Sequence, residues 1–376
     1  MKKATVLLLA VLLLLPLSAR AAGPEVSAKA ALLMEKTTGE VLYEENAHEP
    51  LEPASVTKIM TLLLIEEALD SGRLTKETGI PVSANAAGMG GSQVFLKEGE
   101  ELTADEMLKA VAVASGNDAS VAMAEYLAGS EEAFVEKMNA RAAELGMEDT
   151  VFQNCTGLPA EGHRTSAYDI ALMSRELILN HPDIRTYTSI WMDSLRDGAF
   201  QLTNTNKLIR FYPGATGLKT GSTDSALYCL SATAEKEGME LIAVILGSPT
   251  SADRFDSAKA LLNYGFAAYT LVTPAPSEPL LPVEVTLGTR GTVMPVIDGM
   301  TQLLLSKEEA GKVTTTLDLA ESVPAPVEKG QVLGHLTVLV DGEKRGELPL
   351  VARETVERLT LLQIYKGLLT TLLCGG

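Results

Sequence analysis

The sequence predicts an α+β fold: an antiparallel sheet built from both ends of one domain and packed on a helical cluster, then a small all-β domain and a C-terminal amphipathic helix. Three observations predict it. A β-hairpin pattern near the N-terminus is followed by a long region with only helical patterns. Two further apolar, β-prone runs come after residue 225. A proline-rich break then separates a stretch of short strands.

The first residues, "MKKATVLLLAVLLLLPLSARA", carry a basic start (Lys2, Lys3), an apolar run from Val6 to Leu15 and small residues at Ala19 and Ala21. This reads as a secretory signal peptide, residues 1–21, cleaved after Ala21. The apolar run is short for a spanning anchor and no basic stop-transfer cluster follows. Cleavage takes away Lys2, Lys3 and Arg20, so the formal net charge of −18 becomes −21. Such an acidic chain repels nucleic-acid phosphates and anionic headgroups, which excludes a nucleic-acid partner.

The mature chain opens with "AKAALLMEKTTGEVLYEEN", a hairpin turning at Lys36–Gly39. Residues 55–69 form a helix apolar nearly all round, hence buried. A loop rich in Gly, Asn and Ser, "ANAAGMGGSQ" (84–93), precedes helical patterns at 103–129, 131–145 and 166–180. "ALYCLSATA" (226–234) and "MELIAVILG" (239–247) read as adjacent antiparallel strands in mid-sheet, followed by a helix over 251–270.

"VTPAPSEPLLP" (272–282) is a linker. Short strands over 283–352 suggest a small β-sandwich. The segment 354–373 spaces Leu361, Ile364, Tyr365, Leu368 and Leu372 along one helical side. Its apolar run is too short and too polar to span a bilayer, so an interfacial amphipathic helix is expected, with packing on the β domain as the alternative.

Cys155, Cys229 and Cys374 are odd in number and far apart, so at least one thiol is expected to be unpaired. His48, His163, His181 and His335 are scattered, without HExxH or CxxC spacing. They read as surface or loop residues, and no metal is expected.

The chemistry begins at "EPASVTKIMT" (52–61), which sets Ser55 three residues before Lys58. A serine hydroxyl needs a neighbouring base before it is a nucleophile. On a helix, i and i+3 share a face, and the helix N-terminus favours the anion of acyl transfer. The pair alone is weak evidence. "VASGNDAS" adds Ser115 and Asn117, and "TGLKTGST" adds Lys219, Thr220, Gly221 and Ser222. S-x-x-K, S-x-N and K-T-G in this order form a serine acyl-transfer signature.

With these motifs, and with "LKEGEELT" (96–103) and "TSAYDIALMSREL" (165–177), the chain resembles the D-alanyl-D-alanine carboxypeptidases, the low-molecular-mass penicillin-binding proteins. The resemblance runs strongly over 25–272 and implies a β-lactamase/transpeptidase-like domain there. It implies Ser55 as acylated nucleophile, Lys58 as base and Ser115 as proton relay. Asn117 would bind the substrate's peptide carbonyl. Lys219 would supply positive potential, both for the substrate carboxylate and to keep Lys58 neutral, and Thr220 would bond that carboxylate. The N–H groups of Ser55 and Ser222 would form the oxyanion hole, and Gly221 would leave the strand edge open. Peptidoglycan stem peptides and β-lactam antibiotics are the implied ligands, with no cofactor. The implied location is the outer face of the bacterial cytoplasmic membrane.

Two positions depart from that pattern: Cys155 stands where proline is usual, and Thr205 where some relatives place an arginine. Two rivals remain. A class A-like β-lactamase would use a glutamate in an E-x-x-L-N loop, and "ELILN" (Glu176–Asn180) matches on paper. Its helical setting and its distance from Ser115 make Glu176 a helix-surface carboxylate instead. A catalytically inactive wall-binding module would not need all three motifs.

Overall fold

The computed structural model describes residues 23–299 and 302–374, so the expected signal peptide lies outside the described residues. Strand β1 (Ala30–Glu35) and strand β2 (Val41–Glu45) form the predicted hairpin. Helix α1 runs from Lys58 to Asp70. It is entered through a 3-10 turn over Ala54–Thr57, so Ser55 stands just ahead of the α-helix and not within it.

The helical pattern at 103–129 is two helices. Helix α2 (Ala104–Ala112) starts at Thr103, whose hydroxyl and Glu106 form a reciprocal capping box. Helix α3 (Asn117–Ala128) follows after a break in which Ser115 takes φ +62°. Periodicity alone could not show this break, because the apolar spacing continues through it. Helix α4 (Glu131–Glu144) and helix α5 (Ala167–Asn180) fall as the sequence predicts.

Strands β3 (Ala215–Thr223), β4 (Leu227–Lys236) and β5 (Met239–Ser248) complete a five-stranded antiparallel sheet in the order β2-β1-β5-β4-β3. The sheet thus joins both ends of the domain, and β3, which carries Lys219-Thr220-Gly221, is its outer strand. Period-2 alternation sends the two sides of β1 and β5 to different cores. Leu32, Met34, Ile242, Val244 and Leu246 pack toward α1 and its neighbours. Leu33, Leu241, Ala243 and Ile245 pack under helix α6 (Ser251–Ala268).

Residues 272–282 are less free than a linker reading implies. Tyr269–Val272 pairs antiparallel with Leu303–Ser306 of the following domain. Ser277 N–H donates to Thr315 Oγ1 at 3.0 Å. Beyond it, strands 313–319, 332–340, 343–352 and 295–297 form one sheet, and 283–286, 292–293 and 322–324 a second. Val283, Val285, Val327, Leu333 and Ala352 fill the core of this β domain.

The last helix spans Leu361–Cys374 and starts later than position 354. Leu361, Leu362, Tyr365, Leu368, Leu372 and Leu373 are all exposed, so its apolar surface extends beyond the one side expected. Among the described residues no helix is long and apolar enough to cross a membrane.

Candidate active site

The three motifs converge on the entry to α1. Lys58 donates from Nζ to Ser55 Oγ at 3.0 Å, to Asn117 Oδ1 at 2.6 Å and to the Thr156 carbonyl at 2.7 Å. Lys58 is fully buried, and Ser55 is the accessible end of the pair. Burial lowers the Lys58 ammonium to about 7, against smaller opposing effects of Cys155 and Asp118. A neutral amine keeps two N–H bonds and one lone pair. With Asn117 Oδ1 and Thr156 O taking the two protons, the lone pair points at Ser55.

Of the two routes to a neutral amine, burial or a nearby cation, desolvation by burial is the leading cause of Lys58's lowered value. Lys219 is itself buried, and its ammonium is pushed well below its ordinary value by burial first, then by Lys58 and Arg254.

Ser115, two residues before Asn117, has a left-handed backbone. Its Oγ is buried and has no protein partner, an arrangement that costs about 1–3 kcal/mol where no ligand or water compensates. Asn117 begins α3, and its Nδ2 donates to Gly90 O at 2.7 Å. The Gly-rich loop therefore holds one side of Asn117 while Lys58 holds the other.

Gly221 also has a packing part. A Cβ there would lie 2.8 Å from Ser55 N and 2.9 Å from Pro53 O. The missing side chain lets β3 pack against the backbone that carries the nucleophile. Thr220 donates to Thr205 Oγ1 at 2.6 Å, so the departure at position 205 supplies a hydroxyl contact. Ser222 is exposed at the next position of the strand.

Sequence reasoning missed the loop over 154–158. Asn154 Oδ1 accepts from the N–H groups of Thr156 (3.2 Å) and Gly157 (2.7 Å), which fixes the turn that aims Thr156 O at Lys58. Gly157 has φ +82°, and a Cβ there would overlap Ala54 O at 1.8 Å. The Asn-x-x-Gly turn chemistry was a readable signal. Cys155 is buried, its N–H donating to Glu131 Oε1 at 3.1 Å, and burial raises its thiol well above the usual range. Cys155 and Cys229 are free thiols.

Arg254 of α6 was also missed. It is buried and donates from Nη1 to the Gly221 carbonyl at 3.1 Å and the Cys229 carbonyl at 3.2 Å, fastening the end of β3 to β4. His163 is buried and not a surface residue. Its Nδ1 accepts from Gln153 N–H, leaving Nε2–H to donate to Thr57 Oγ1 at 2.8 Å, and burial lowers its pKa to about 4.

Glu176 is half-buried and occupied elsewhere. It pairs with Arg141 Nη2 at 2.6 Å and accepts from Asn180 Nδ2 at 2.8 Å. Glu67, Glu176 and His181 come close enough to suggest a cation. Arg141, bonded to both Glu67 and Glu176, already supplies the positive charge there.

The chain is similar to known proteins over most of its length. The family model described as D-alanyl-D-alanine carboxypeptidase matches residues 18–250, and that of penicillin-binding protein 5, C-terminal domain, matches 276–358. D-alanyl-D-alanine carboxypeptidase DacF of Bacillus subtilis is 45% identical over 90% of this chain and 88% of its own length. Penicillin-binding protein 5 from Haemophilus influenzae superposes with TM-score 0.76 at 28% identity, covering 89% of this chain and 99% of that one. Penicillin-binding protein D2 from Listeria monocytogenes, solved in an ampicillin-bound form, has TM-score 0.59 at 32% identity over 64% of this chain and 98% of its own. A catalytic serine domain followed by this β domain is the layout of one family of serine peptidases, and the chain belongs to the D-alanyl-D-alanine carboxypeptidase family.

Proposed function

We propose that the protein removes the terminal D-alanine from peptidoglycan stem peptides through an acyl-enzyme on Ser55. The observation that carries this is the buried Lys58 amine, 3.0 Å from Ser55 Oγ and lowered to about 7. Near neutral pH a large fraction is free base, which is the state a general base needs.

Ser55 Oγ attacks the carbonyl carbon of the penultimate D-alanine while Lys58 takes its proton. The N–H groups of Ser55 and Ser222 receive the oxyanion. Ser115 Oγ passes a proton to the leaving amine of the terminal D-alanine. Water then attacks the ester, Lys58 again serving as base, and the shortened peptide leaves. Lys219 and Thr220 hold the terminal carboxylate, and Asn117 the upstream peptide carbonyl. A β-lactam presents a carboxylate and a strained amide to the same groups, so it acylates Ser55.

The remaining proposals concern placement. Residues 25–272 would be the peptidase domain and 283–352 a β domain that positions it. Export through residues 1–21 would carry the enzyme to the outer face of the cytoplasmic membrane. There the exposed leucines of Leu361–Cys374 would lie in the interface.

The experiment is D-alanine release from a peptide ending in D-Ala-D-Ala. Release by the wild type and its loss in Ser55→Ala support the reading. Release that survives the substitution refutes it.

A further inference from the structure

We propose that Phe95 is a specificity-determining residue, an aromatic platform for the part of the substrate N-terminal to the scissile bond. The inference rests on the carboxypeptidase reading and deepens it. Phe95 is 66% exposed, while its neighbours Val94 and Leu96 are buried. Its backbone sits at φ +56°, a conformation that is costly for a bulky residue. A phenylalanine two-thirds exposed in a strained backbone has little value for folding, because a glycine would fit the backbone better and the ring buries only the smaller part of its surface.

The surrounding structure nevertheless fixes it from both sides. The buried Asp118 carboxylate accepts from Val94 N–H and Leu96 N–H, each at 3.0 Å from Oδ2. Arg196 donates to Val94 O at 3.0 Å and to Phe95 O at 3.2 Å. Glu100 in turn holds Arg196 through Nε at 2.6 Å. Phe200 meets the Phe95 ring edge-on, with centroids 6.1 Å apart. The backbone on each side of this ring is therefore bonded to a charged side chain.

Asp118 directly follows Asn117, and two carbonyls of the same loop accept hydrogen bonds from Asn117. Ser92 O accepts its backbone N–H at 2.7 Å and Gly90 O its side-chain amide at 2.7 Å. The wall that carries Phe95 is thus built on the residue assigned to the substrate's upstream carbonyl. An aliphatic side chain on the residue preceding the D-alanine pair is the chemistry that a rigid, exposed ring on this wall would take.

The test compares two peptides with the full chain: Nα,Nε-diacetyl-lysyl-D-Ala-D-Ala, with a long aliphatic arm, and Nα-acetyl-glycyl-D-Ala-D-Ala, with none. The wild type should favour the lysyl peptide. Phe95→Gly should cut that preference in kcat/KM by about tenfold, mainly through KM, while raising Tm by releasing the strained backbone. Phe95→Tyr should restore the preference. A preference that stays within twofold of wild type in Phe95→Gly overturns the proposal and leaves the carboxypeptidase reading intact. A wild type that cleaves neither peptide overturns both.

Discussion

The catalytic domain and the C-terminal helix break the ordinary rule of burial in opposite directions. The domain buries two lysines, Lys58 and Lys219, with no carboxylate salt bridge to either among the described residues. The helix leaves leucines at 361, 362, 368, 372 and 373 in solvent. Burying an ammonium costs several kcal/mol unless the group turns neutral. In the proposed mechanism the site exploits that cost, because the neutral form is the base. Exposed apolar surface has a different meaning: it marks a surface awaiting contact. In the proposed function one departure serves chemistry and the other placement.

Replacing Lys58 by methionine should break the first half of that contrast most severely. Acylation should fall on the order of a thousandfold. In the wild type, acylation should fall as pH drops below about 7, because the amine is then protonated. Stopped-flow acylation by a chromogenic cephalosporin from pH 5.5 to 8.5 measures both effects. A rate independent of pH across that range would remove Lys58 from the base role.

Gly157→Ala tests whether the site depends on backbone packing beneath Ser55. Its Cβ would collide with Ala54 O, so a loss of about 3 kcal/mol or more is expected, together with loss of acylation. Denaturant melts read the first and antibiotic labelling the second.

Glu66 sharpens the comparison with a buried group outside the chemistry. Its Oε1 lacks a partner and burial raises its pKa to about 7, above the ordinary 4.5. The stability linked to its proton is present below about pH 4.5 and lost as pH rises through 7. Glu66→Gln should therefore lose about 3 kcal/mol less than wild type between pH 4.5 and 8. Parallel slopes in urea melts would contradict this.

The smallest effect belongs to the tail. Ending the chain at Thr360 should leave cleavage of a soluble peptide within twofold of wild type while reducing sedimentation with phospholipid vesicles. Equal sedimentation of the two forms would remove the interfacial role.

Much of this was legible in the sequence because the signals were local or strongly periodic. The hairpin, the all-round apolar helix after Ser55 and the paired strands before Ser248 each followed from short-range pattern. The motif residues were legible as types at fixed spacing. What was hidden depended on contacts between distant segments. The break at Ser115 interrupts no apolar spacing. The turn at 154–158 acts through a backbone carbonyl, which no side-chain motif records. Arg254 reaches the site's strand from a helix behind the sheet, and the reason for Gly221 lies in the chain segment at 53–55. His163 is a loop residue, but its burial was hidden because its two partners, Thr57 and Gln153, are not its neighbours in any sequence pattern.

The most direct measurement is intact mass over time after mixing the protein with a penicillin, with peptide mapping of the product. The account predicts a persistent single adduct on the peptide that contains Ser55, absent in Ser55→Ala. No adduct, or one that clears within seconds, would contradict it.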